Sequence, residues 1–140
     1  MLKRSMVAIT TACIMFICML LPVSAAEADE PGFSLMAANY RKASASISIS
    51  DNGTASATGK MVGTAGHTTK ISIHLYLQKY SSGKWTSVAD WTGSKAASSY
   101  TLKKTKNVAK GCKYRTKAVF KAYAGSSAEK TTKYSTAVKY

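Results

Sequence analysis

Between Lys70 and Tyr80 the chain alternates between apolar and polar residues. Ile71, Ile73, Leu75 and Leu77 fall on one side, and Ser72, His74, Tyr76 and Gln78 on the other. A period of two sends successive side chains to opposite faces of an extended strand, and it cannot be gathered onto one face of a helix. The segment therefore predicts a strand with one face in a core and the other in water. Cys112 to Tyr123 repeats the pattern. Cys112, Tyr114, Thr116, Ala118, Phe120 and Ala122 share one face, and Lys113, Arg115, Lys117, Val119 and Lys121 the other.

Five shorter segments read as strands between turn signals: Ala43 to Ile49, Ala55 to Val62, Trp85 to Trp91, Ser99 to Lys103, and about Glu129 to Val138. Asp51-Asn52-Gly53 and Ser81-Ser82-Gly83-Lys84 are hairpin connections, because Asn and Gly tolerate positive φ. Residues 63–67 and 93–97 read as loops, and Gly125-Ser126-Ser127 as a turn. Seven short antiparallel strands at this spacing predict an all-β sandwich or barrel. Trp85 and Trp91 lie six residues apart, which in an unbroken strand puts them on the same face.

The first 26 residues have a different texture. Lys3 and Arg4 precede an apolar run from Met6 to Leu21, followed by Pro22 and the small residues Ser24, Ala25 and Ala26. Those three parts predict a secretory signal peptide, cleaved after Ala25 or Ala26. The competing reading is an uncleaved anchor, since the run is at the low end of the roughly 18–20 residues that span a bilayer. Pro22 and the small residues behind it favour cleavage. The expected organisation is a signal-peptide helix over 1–25, an acidic flexible leader over 26–39, and one domain over 40–140, exported to the cell exterior.

Export would remove Cys13 and Cys18 and leave Cys112 alone. A single cysteine makes no internal disulfide, so packing must hold the domain together. Cys112 is then either a buried small apolar residue or a thiol that pairs between chains. The charge is lopsided. From Tyr40 onward 18 basic residues face three acids, Asp51, Asp90 and Glu129, a net of +15 within a chain of +14. Such a field attracts polyanions of any kind. A lysine-rich surface also discourages edge-to-edge pairing of sheets.

The sequence argues against an enzyme. Glycan hydrolysis needs two placed carboxylates, and Asp51 is accounted for by its turn. His67 and His74 lack the company of a nucleophile motif. Two histidines and a distant cysteine do not make a metal site. No cofactor or sequence-specific nucleic-acid partner is indicated.

The run from Val108 to Phe120, with the order of strand lengths, resembles the fibronectin type III and immunoglobulin-like families. Those families often carry a tyrosine near the start of the sixth strand, behind a turn and an apolar residue six positions earlier. Val108, Gly111 and Tyr114 match those positions. The resemblance implies that the Tyr114 hydroxyl ties back to backbone in that turn. It also implies a sheet of strands three, four, six and seven. The expected second-strand tryptophan is missing, and no cysteine pair is present. Leu77-Gln78-Lys79, Gly83-Lys84-Trp85, Trp91 and Gly111 to Arg115 are further similar to a series in an uncharacterised family of small exported proteins of Gram-positive bacteria.

On such a sheet His74, Tyr76 and Tyr80 from strand three would neighbour Arg115, Lys117 and Lys121 from strand six on the outer face. Rings that stack on sugars beside cations that neutralise phosphate or carboxylate suit anionic cell-wall polymers or glycans. An ordinary solvated face is the alternative, since Lys, Thr and Tyr are tolerated on strands. The expected function is a secreted, non-enzymatic binding module. The competing one is an interaction protein that self-associates through a sheet edge or Cys112.

Overall fold

In a computed structural model, residues 39–140 are described; the expected signal peptide and nearly all of the leader lie outside them. The described residues are all-β, with eight strands. These are β1 (Tyr40–Ile49), β2 (Thr54–Gly63), β3 (Lys70–Ser81), β4 (Lys84–Lys95), β5 (Ser99–Asn107), β6 (Lys113–Ala124), β7 (Ser127–Tyr134) and β8 (Val138–Lys139). One sheet has the order β1-β2-β5. The other has the order β4-β3-β6-β7, with β8 also paired to β6. Every pairing is antiparallel. The two sheets face one another across a shared core, as a sandwich does.

Turn chemistry sets the registers. Ser81 pairs with Lys84, so the β3–β4 loop is only Ser82-Gly83. Both residues have positive φ, +52° and +78°, the conformation whose twist matches that of the flanking strands. Ala124 pairs with Ser127, leaving Gly125-Ser126 as the β6–β7 loop, with Gly125 at φ +60°.

Alternation fills the core from both sheets. Ile71, Ile73, Leu75 and Leu77 of β3 and Ala118, Phe120 and Ala122 of β6 are fully buried. They pack with Met61 and Ala55 of β2 and Leu102 of β5, and Ala57 of β2 is buried as well. Gly59 on β2 lets the sheets approach closely. A methyl group there would lie 2.8 Å from Leu75 Cδ2 and 3.1 Å from Ile73 Cγ2.

The last expected strand is two. β7 pairs with residues 117–124 of β6, and β8 with Lys113 and Tyr114. Ser135 fills the break: its N–H donates to the Thr116 carbonyl and its Oγ accepts from the Thr116 N–H, both at 2.8 Å. β4 and β5 also run further than the sequence suggests, to Lys95 and Asn107. Ladder pairing continues across residues 93–95 and 104–107 in spite of glycine and charge.

The Thr116 side chain faces the core, and its hydroxyl is buried with no hydrogen-bond partner among the described residues. An unsatisfied buried hydroxyl carries a desolvation cost with nothing to offset it. Thr116→Val should therefore raise stability by about 1 kcal/mol, read as a higher urea midpoint at unchanged slope. A lower midpoint would mean that the hydroxyl has a partner.

At the start of β6, Tyr114 is 2% exposed and donates its hydroxyl to the Ala109 carbonyl at 2.8 Å. Gly111 takes φ +90° in the intervening turn. Val108 packs on the same small cluster as Leu77 and Tyr114. Burial, reinforced by the nearby Cys112 thiol, holds the Tyr114 phenol above its ordinary ionisation range. A phenol raised in the folded state stabilises the fold at every pH below its unfolded value. That stabilisation is lost as pH rises through the folded value. Tyr114→Phe should thus cost about 1–2 kcal/mol at neutral pH, because the Ala109 carbonyl loses its donor. It should also flatten the alkaline fall in stability. Chemical unfolding at a series of pH values above neutrality reads both effects.

Candidate functional site

The β4-β3-β6-β7 sheet turns one face to the core and the other to solvent. Register arranges the outer side chains in rows across the strands. Ser94, Ser72, Lys121 and Lys130 form the first row, and Thr92, His74, Val119 and Thr132 the second. Asp90, Tyr76, Lys117 and Tyr134 form the third. Ser87, Gln78 and Arg115 follow, then Trp85, Tyr80 and Lys113. Two residues of extended chain, about 6.7 Å, separate neighbouring rows.

The central part of these first three rows, with Tyr123 at its end, lines a shallow depression of about 460 Å³. Val119 is its one aliphatic lining residue, and His74, Tyr76, Lys117, Lys121 and Lys130 stand around it. No acid lines it. Lys121 and Lys130 lie directly opposite each other on β6 and β7, an arrangement of like charges that disfavours the sheet. Lys117 Nζ sits 5.3 Å from the centroid of the Tyr76 ring, within cation–π range.

The His74 and Tyr76 rings stack with centroids 4.1 Å apart. His74 Nε2 lies 2.7 Å from Asp90 Oδ2, and Tyr76 Oη lies 2.9 Å from His74 Nδ1. A neutral imidazole protonated at Nε2 satisfies both contacts, donating to Asp90 and accepting from Tyr76. Asp90 is thereby engaged with His74, and Tyr76 stands between it and Lys117.

Four of the six expected binding residues, His74, Tyr76, Lys117 and Lys121, line the depression. Arg115 and Tyr80 share the face but stand one and two rows beyond it. The Arg115 guanidinium lies 4.2 Å from the Trp85 ring centroid and 4.5 Å from that of Tyr134, and its Nε donates to Gln78 Oε1 at 2.8 Å. Lys130, Thr132 and Tyr134 of β7 and Trp85 of β4 complete the surface without having been anticipated in it.

Trp85 and Trp91 do not share a face. The β3–β4 register shifts between Leu77 and Gln78, which pair with Ala89 and Ser87, so Val88 is an extra residue on β4. A bulge of one residue reverses the alternation beyond it. Trp91 consequently packs against the core opposite Leu75, and Trp85 reaches the outer face opposite Tyr80. Cys112 is half-buried against the cluster of Ala55, Leu77 and Tyr114. Among the described residues, no three His, Cys, Asp or Glu side chains gather as metal ligands.

Fold and site together define a two-sheet, all-β domain with a cationic, aromatic outer face. No protein-family model matches the chain, and no curated protein matches it.

Proposed function

We propose that this is a secreted, non-enzymatic binding module that takes anionic polymers of the cell envelope, or acidic glycans, on the outer face of its larger sheet. The observation that carries the reading is the depression floored by Val119. Lys117, Lys121 and Lys130 converge on it, and no acid lines it. Two of those lysines oppose each other directly. Such an arrangement costs stability unless something negative lies between them, so an anionic occupant gives it a purpose. The tyrosine and histidine rings alongside add surface for an organic ligand.

The fold is read as fibronectin type III-like within the immunoglobulin-like sandwiches. A three-stranded sheet β1-β2-β5 against β4-β3-β6-β7 supports that reading, as does the Tyr114 tie to Ala109. Membership of the small exported family of Gram-positive bacteria is part of the same proposal. Residues of its series meet here, with Gln78 and Trp85 both contacting Arg115. The apolar run from Met6 to Leu21 and the residues behind it support export.

The test is retention on purified anionic wall polymer at two salt concentrations. Retention at low salt that falls steeply at about 0.5 M, where the Debye length shrinks to a few Å, is the expected result. Absence of retention at either concentration would sink the proposal.

A further inference from the structure

The lysine depression has an aromatic neighbour on the same face. Trp85 and Tyr80 oppose each other on β4 and β3, with ring centroids 5.2 Å apart and planes inclined at 56°. Arg115, on β6, lies over Trp85 from one direction across the sheet and over Tyr134, on β7, from the other. With Gln78 on its Nε, the guanidinium is held at three points. Tyr80 and Tyr134 are nonetheless 41% and 51% exposed. Together with Val88, they are the large apolar side chains this domain leaves in solvent. Tyr134 pairs with Lys117, so the aromatic row begins where the lysine depression ends. From Lys121 to Lys113 along β6 the joint surface runs about 27 Å.

We propose that depression and row form one elongated site for an acidic polysaccharide. Its charged groups sit over Lys117, Lys121 and Lys130, and its sugar rings lie against Tyr134, Trp85 and Tyr80. The inference rests on the anionic-polymer reading above and narrows it to polymers built from rings. Lysines alone do not distinguish one polyanion from another, because their attraction follows charge. Exposed aromatic faces do distinguish, since they gain by covering apolar surface. A pyranose ring presents such a surface, and a phosphate chain has none.

Two probes of matched charge separate the cases: polygalacturonate, and inorganic polyphosphate as a ring-free chain. Their affinities for the protein are measured by calorimetry at low salt, before and after the paired change Tyr80→Ala and Tyr134→Ala. Both tyrosines are exposed, and an unchanged melting transition verifies that the variant is folded. The expected result is tighter binding of polygalacturonate, reduced about tenfold in the variant, with polyphosphate binding unmoved. Equal affinity for the two probes, or a variant that loses neither or both alike, overturns the ring requirement and leaves the lysine depression standing. Failure of both probes to bind the unaltered protein removes the anionic-polymer reading together with this one.

Discussion

Changing Lys117, Lys121 and Lys130 together to glutamine is expected to weaken retention on anionic polymer by roughly tenfold, while the domain becomes no less stable. Each exposed ionic contact is worth about 0.2–1 kcal/mol, and the loss of three lies near 1.5 kcal/mol, on the order of a factor of ten. Stability should move the other way. Lys121 faces Lys130 across the β6–β7 ladder, and removing a directly opposed pair of like charges relieves the sheet by a few tenths of a kcal/mol. Binding lost while stability is gained marks side chains placed for a ligand. A solvated face chosen for solubility alone would show no such split. The control removes the same charge elsewhere: Lys42, Lys60 and Lys104 are exposed lysines on the β1-β2-β5 sheet. Equal weakening by both triple variants would show that net charge alone governs retention. Paired measurements of retention and urea midpoint decide the matter.

The second large effect concerns the core. Phe120→Ala should destabilise the domain by about 3–5 kcal/mol, against a total of about 5–15 kcal/mol for domains of this kind. Phe120 is fully buried, pairs with Ile73, and belongs to the cluster that also holds Met61, Ile71, Leu75 and Leu102. The large loss follows from its surroundings. Its neighbours sit on two hydrogen-bonded sheets that cannot collapse into the vacated space without breaking ladders. Among the described residues no disulfide offsets the loss, since Cys112 is free. Trp91 packs on the same cluster, so its fluorescence reports unfolding directly. A shift in midpoint worth less than about 1 kcal/mol would mean that the core repacks around the cavity.

Much of this architecture is written in short-range patterns. Alternation at Lys70–Tyr80 and Cys112–Tyr123 assigns the buried faces of the two central strands, because a period of two is a local property of the extended backbone. The Ser82-Gly83 and Gly125-Ser126 turns carry more than loop positions. A two-residue turn fixes the pairing of the strands it joins, and with Ala124 opposite Ser127 the count places Lys130 opposite Lys121 and Tyr134 opposite Lys117. With Ser127 counted in the turn, as its composition suggests, Lys130 would face Ala122, so the β7 contribution depends on Ser127 joining the ladder.

The bulge at Val88 has no such signature. Had the register of the Ser82-Gly83 turn continued, Trp91 would have opposed His74 on the outer face. Instead it opposes Leu75 and enters the core. Where the extra residue falls depends on which ring the space between the sheets accepts, and that space exists only once β2, β5 and β6 have assembled. The same holds for the break at Ser135, whose hydroxyl takes over a ladder position on Thr116. The all-β class, the inward faces of the two central strands, the places where the chain turns and the excess of lysine follow from short-range patterns. Long-range packing decided that Trp91 sits opposite Leu75, that Asp90 is engaged with His74, and that Arg115 lies between Trp85 and Tyr134. Those contacts join residues 16 to 30 positions apart, and no local backbone preference reaches that far.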